Sequence, residues 1–278
     1  MRQDEPNAEA MRLRLEELWS AGEHREAIEM GERMVRQFPD DPNWHETLAV
    51  LRVHYARHAP PEDDQLGPAL RSLDRALELD PKRVSSLEIM ANLQILLGHQ
   101  LEKGLLFSHA LRSFLELERI APDAGEETLW KWRLEAARAA FLAARHSEDK
   151  QPDYELPLTL YSRLDGERYE PTDWFFRGLA SLETARQKGE DQELHRQAAA
   201  CFLRTLETGE FALESTYFAA DALISLENPT EQEFKHAVDL VKKLLDSPSR
   251  DFLVTSLRRR LALRAELLGK ELPPLEEK

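Results

Sequence analysis

Cysteine is almost missing from this chain of 278 residues. Cys201 stands alone, so no intramolecular disulfide can form and any core must hold by packing. Glycine is scarce, at 11 residues, and the 15 prolines fall mostly between apolar stretches rather than inside them. No run of roughly 18–20 apolar residues occurs, which excludes reading a membrane-spanning helix. The opening MRQDEPNAEAM has no apolar segment, so no secretory signal is expected there. With the lone cysteine, this makes the cytoplasm the expected location. Positive charge is also in short supply, with 37 Lys and Arg against 52 Asp and Glu and a formal net charge of −15. Phosphate backbones are held by clustered cations through counterion release, so nucleic-acid binding is not expected. One segment, SLRRRLALR, gathers Arg258, Arg259, Arg260 and Arg264, and reads as a solvated helix face with cations near a helix C-terminus.

Catalytic signatures are missing as well. HEXXH, P-loop, GxGxxG and GxSxG patterns do not occur. His54 and His58 stand four apart, which could put two imidazoles on one helix face, but no third metal ligand sits at a diagnostic spacing. Cys201, between Ala200 and Phe202, reads as a buried small hydrophobe. No cofactor, metal or catalytic residue is expected.

What the chain does contain is apolar residues at 42% and charged residues at 32%, enough to bury a core in one elongated or two compact domains. Their spacing repeats. In ALRSLDRALELDP, Ala69, Leu73 and Ala76 precede Pro81 with gaps of four, three and five. Ala27, Gly31, Met34 and Pro39 keep the same gaps, as do Ala110, Phe114, Leu117 and Pro122. Ala198, Phe202 and Thr205 repeat the rhythm with Glu210 in the proline position, and Ala237, Val241 and Leu244 end one residue early at Pro248. A second pattern comes before several copies, in Trp44–Leu48–Leu51, Trp130–Leu134–Ala137 and Trp174–Gly178–Ser181, with Met11–Leu15–Leu18 and then Gly22 as a variant. Gaps of four and three place such residues on one helical face. A small residue lets two antiparallel helices approach, the larger one a turn later fills the space beneath, and proline stops the helix. Each unit is a helical hairpin that must bury its apolar face against a neighbour.

The two patterns together resemble the tetratricopeptide repeat (TPR) family, whose signature is W-x2-L-G-x2-Y followed by A-x3-F-x2-A-x4-P. Residues 69–81 match its second half, with Leu73 in place of phenylalanine; residues 27–39 and 110–122 match more loosely, and Trp174 with Gly178 matches part of the first half. The resemblance implies an all-α, right-handed solenoid of about six hairpins. The expected repeats are 7–39, 42–81, 84–122, 126–169, 171–210 and 211–248, followed by a capping helix at 250–268 and a polar tail at 269–278. The period departs from the family. From Ala27 through Ala69, Ala110, Pro157 and Ala198 to Ala237 the intervals are 42, 41, 47, 41 and 39, against about 34 in the standard repeat. The excess lies either in longer helices or in loops such as HAPPEDDQLG (58–67) and RHSEDKQPD (145–153).

In the family, first helices line a concave groove. Positions counted from the tryptophan place Arg12, Glu16 and Trp19 there, then His45, Ala49 and Arg52, then Glu88, Asn92 and Ile95. Lys131, Glu135 and Arg138 follow, and Phe175, Leu179 and Leu182 complete the set. The lysine–asparagine–arginine constellation that holds a terminal carboxylate in chaperone adaptors is not reproduced. Trp44, Trp130 and Trp174 are expected in the core, whereas Trp19 and Trp132 fall off that register and could face a ligand. The leading reading is a non-catalytic scaffold that binds a peptide or helix of a partner protein, with the acidic balance favouring a basic partner. The alternative is a regulatory or sensor subunit that binds a small molecule or signal peptide and controls a separate enzyme or transcription factor, a reading that a deep apolar pocket near Phe175 and Leu182 would support. A monomer is expected, with a homodimer as the other option.

Overall fold

The computed structural model describes residues 5–57, 63–247, 252–272 and 275. Among them are thirteen α-helices, one 3-10 turn and no strand. The chain divides into two compact units, Met1–Ala139 and Ala140–Lys278. Within each, helices pack as consecutive hairpins, which is the α-solenoid architecture.

The first unit contains α1 (Glu5–Ser20), α2 (His24–Gln37), α3 (Pro42–Ala56), α4 (Leu66–Leu79), α5 (Val84–Leu101) and α6 (Gly104–Ile120). The next helix, α7 (Glu126–Arg145), runs across the division between the units. Local chemistry sets the boundaries. Asp41 accepts the Asn43 N–H at 2.9 Å, and Pro42 occupies the first turn of α3, where its missing N–H costs nothing. The extra residues per hairpin have two sources. The hairpin of α3 and α4 spends them on the connection from Arg57 to Gln65, of which 58–62 lie outside the described residues, as does His58. The hairpin of α5 and α6 spends them on helix, with 18 and 17 residues joined through Glu102 and Lys103.

The repeated alanines are contact points. Ala27, Ala69 and Ala110 are completely buried, as are Met34, Leu73 and Leu117 behind them. Glycine goes further. A Cβ placed on Gly98 would lie 2.7 Å from the Phe107 ring, closer than any real contact, so α5 and α6 approach at a distance only glycine permits.

The second unit contains α8 (Glu155–Tyr161), α9 (Pro171–Gln187), α10 (Gln192–Thr208), α11 (Ala212–Ile224), α12 (Glu231–Leu245) and α13 (Phe252–Leu267). The seven-residue α8 gives way to a 3-10 turn at Gly166–Arg168, and the Tyr169 hydroxyl donates to the Tyr161 carbonyl at 2.6 Å to close that segment. Capping boxes start α9 (Glu170 with Asp173) and α12 (Thr230 with Glu233). At Gly178 an added Cβ would meet the Phe202 ring at 2.8 Å, the same close approach as at Gly98.

The arginine-rich segment is only partly a solvated face. Asp221 on α11 is 1% exposed, and its carboxylate takes Arg186 of α9 at 2.5 Å and Arg260 of α13. Arg264 donates to the Ile224 carbonyl at 3.1 Å. Arg260 and Arg264 therefore fasten α13 to α11 rather than serve as free cations. The tryptophans also sort differently from the sequence expectation. Trp132 is buried, at 2% exposure, with its indole N–H donating to Glu88 at 3.2 Å. Trp44, Trp130 and Trp174 are half-buried. A tryptophan with a carboxylate within reach can be enclosed completely, and the register count did not include that partner. Cys201 is buried as expected, and burial pushes its thiol up to about 11.

Alanine at Gly178 or Gly98 should overpack the facing ring and destabilise the fold by about 1–3 kcal/mol in denaturant unfolding. Pairing Gly178→Ala with Phe202→Leu should recover part of the loss, because the clash partner is removed.

Candidate binding cavity on the first unit

Helices α3 and α5 carry apolar residues on two faces. One face of each joins a buried cluster of Ala49, Leu66, Ala69, Leu73, Met90 and Leu93. Beside that cluster, and sharing Leu93 with it, the two helices line a cavity of about 490 Å³. From α3 and its C-cap it is lined by Val50, Val53, His54 and Arg57, and from α5 by Ile89, Asn92, Leu93 and Leu96. The wall is mostly apolar, and His54, Arg57 and Asn92 supply its polar groups. Leu96 is 38% exposed. On the α1 side, Trp19 lies edge-on to His54 at 5.8 Å and tilted against His24 at 4.4 Å, so an aromatic group adjoins the cavity.

A polar network fixes the two helices relative to each other. Glu46 of α3 accepts Arg83 Nε, Ser85 Oγ and Ser86 Oγ at 2.5, 2.6 and 2.5 Å, at the start of α5. Arg83 also donates to Asn43 at 2.8 Å. Burial alone would raise the Glu46 carboxyl, but these hydrogen bonds outweigh it and hold the group below the usual carboxylate range.

Of the positions expected along the groove, Asn92 is exposed and lines the cavity, while its side chain donates to the Glu88 carbonyl at 2.9 Å. Glu88 is half-buried and engaged by Trp132. His45 is buried against the Pro39 carbonyl, to which its Nε2 donates at 2.9 Å. Arg52 points away from the cavity. It donates to Glu32 of α2 at 2.7 Å and to Ser72 of α4 at 3.0 Å. On α1, Arg12 is exposed and paired with Glu9 and Glu16, and Trp19 is half-buried. On α7, Lys131 is exposed, whereas Glu135 and Arg138 pair at 2.8 Å.

In the second unit, Phe175 and Leu179 are buried, and Leu182 is completely so. Phe175 stacks on Phe211 at 4.9 Å and meets Phe202 and Phe218 edge-on. The space beside Phe175, where a deep pocket would have supported a sensor subunit, is thus filled by rings. On α3 the lining stripe runs Val50–Val53–His54–Arg57, rotated by about one residue from the Ala49–Arg52 stripe that the tryptophan count gave. Val50, Val53, Ile89, Leu93 and Leu96 were missed because apolar residues were assigned to the core. The available signal was an apolar second face, in AVLRV of α3 and in IMANLQILL of α5. Among the described residues no cluster of three metal-ligating side chains occurs, and no helix is long and apolar enough to cross a membrane.

No family model matches the chain, and no curated protein does. Solved structures do. The C-terminal part of a TPR repeat-containing protein from Cytophaga hutchinsonii aligns at a TM-score of 0.51 and 10% identity, over 93% of each chain. YrrB, a TPR protein with an unusual peptide-binding site, aligns at 0.49 and 14% identity over 82% of this chain and 97% of its own. The P58(IPK) TPR domain aligns at 0.39 and 13% identity over 95% and 66%. At such identities the likeness is one of fold: the chain has the TPR-type arrangement of helical hairpins.

Glu46→Gln should lower stability by about 1–2 kcal/mol at neutral pH, since a charged acceptor of three donors is lost. The depressed pKa means that the wild type gains stability from ionised Glu46 above the ordinary carboxylate range and loses it as pH falls through the lowered value. The gap between wild type and Glu46→Gln in thermal melts should therefore narrow toward acid pH.

Proposed function

We propose that the chain is a non-catalytic interaction scaffold whose α3–α5 cavity receives an apolar side chain from a peptide or helical segment of a partner protein. The observation that carries this reading is the cavity itself, an apolar recess of about 490 Å³ with His54, Arg57 and Asn92 placed to orient backbone or polar groups of a bound segment. The half-buried Trp19 next to His54 extends the contact surface with the residue type most often found at binding hot spots. The filled space around Phe175 favours this over a small-molecule sensor built there. A monomer acting in the cytoplasm accords with the composition, and the net charge of −15 would speed encounter with a partner that is basic overall.

Selection of displayed peptides on the immobilised protein tests the reading. Enriched sequences should share a large apolar residue, and Leu96→Glu or Leu96→Lys, at an exposed position, should weaken their binding by about tenfold or more while thermal melts stay close to wild type. Equal binding by folded variants would remove the cavity from the proposal.

A further inference from the structure

We infer that a second cavity, at the start of α9 in the second unit, takes an arginine side chain from a basic segment of a partner protein. It shares no residue with the α3–α5 cavity and does not depend on that cavity binding anything.

The recess is about 510 Å³, and the half-buried indole of Trp174 forms one wall. Tyr169 braces that indole edge-on, with ring centroids 5.0 Å apart. On the opposite flank the 3-10 turn passes so close that a Cβ on Gly166 would sit 3.2 Å from the tip of the indole. Arg177, outside the cavity, already places its guanidinium 5.9 Å from the Trp174 ring centroid, so this ring engages one cation in the folded chain.

The rim is acidic. Asp165 and Glu167 come from the turn, and Asp165 Oδ1 accepts the Glu167 N–H at 3.0 Å, which fixes the two relative to each other. Both are exposed, and among the described residues neither forms an ion pair. Glu207 of α10 adds a third carboxylate, and Arg204, which also lines the recess, pairs with it at 3.0 Å in a mostly solvent-exposed contact, so the lining holds three carboxylates against one guanidinium.

This combination selects a guanidinium. A quaternary ammonium needs several aromatic walls. Here only two rings line the recess, the indole of Trp174 and Tyr169 set edge-on to it, and the Tyr169 hydroxyl is committed to the Tyr161 carbonyl, so no aromatic cage is built. Carboxylates at the rim accept hydrogen bonds from N–H donors, which a trimethylated ammonium lacks. Arginine has a planar group that stacks on the indole while its in-plane N–H groups reach Asp165 and Glu167. Lysine offers only a point charge without the stacking.

The test uses the full chain labelled with 15N at its tryptophan indoles, with Trp174→Phe to assign the Trp174 signal. The probes are an acetylated and amidated Gly-Ser-Arg-Ser-Gly peptide and its Lys, trimethyl-Lys and Glu counterparts. The arginine peptide should shift the Trp174 indole signal and leave the other tryptophans in place. Glu167→Gln combined with Glu207→Gln, both at exposed positions, should weaken that binding about tenfold without changing the thermal melt. The lysine and trimethyl-lysine peptides should bind more weakly, and the glutamate peptide not at all. An unmoved Trp174 signal with the arginine peptide overturns the proposal. So does equal binding by the trimethyl-lysine or glutamate peptide, or by the doubly substituted protein.

Discussion

Everything in both units rests on how closely paired helices approach. Where a ring faces a glycine, as Phe107 faces Gly98 and Phe202 faces Gly178, the ring packs directly on the backbone of the facing helix with no Cβ in the way. Where alanine takes that role, as at Ala27, Ala69 and Ala110, nothing of it remains exposed. Such contacts are short-range and dispersive, so they reward fit steeply and penalise a single added methyl. The spacing between helices follows from them, and the spacing decides whether a second apolar face ends in a closed core or an open recess.

Charge handles the connections that packing cannot. Glu46 gathers Arg83, Ser85 and Ser86 at the head of α5, and Asp221 holds Arg186 and Arg260 at the base of α13. The two cases differ in burial. Asp221 is almost wholly enclosed, and removing a partner from a buried ion pair costs about 3–5 kcal/mol. The arginines keep part of their surface in water, at 40% and 43% side-chain exposure, which lowers their own desolvation cost. An acidic protein can therefore place a basic run such as Arg258–Arg260 near its C-terminus for internal reasons, with no anionic partner needed to explain it.

The hairpins were legible from residues 69–81 and their copies because each small residue and each proline has a purely local cause. The recess between α3 and α5 was less legible. Counting from Trp44 assumes that every first helix presents the same face, yet Arg52 turns toward Glu32 and Ser72, and the open stripe begins at Val50 and Val53. One residue of rotation is about 100°, enough to exchange a core face for a lining face. Trp132 misled in the opposite direction, since its enclosure depends on Glu88, 44 positions earlier. Pairings of that range leave no trace in the spacing of either helix.

The same reasoning separates the two recesses chemically. Between α3 and α5 the wall is aliphatic and the polar groups are His54, Arg57 and Asn92, so an occupant gains by shedding water from apolar surface. Beside Trp174 the wall is the indole with Tyr169 edge-on to it, and the rim holds Asp165, Glu167 and Glu207 against Arg204, so the proposed occupant gains by bringing a flat cation. A net charge of −15 describes neither place. Bulk charge governs how fast a partner arrives, while the few groups at each recess decide what it must carry, and those groups were set by where a turn or a helix had to pass close to an aromatic ring or an aliphatic face.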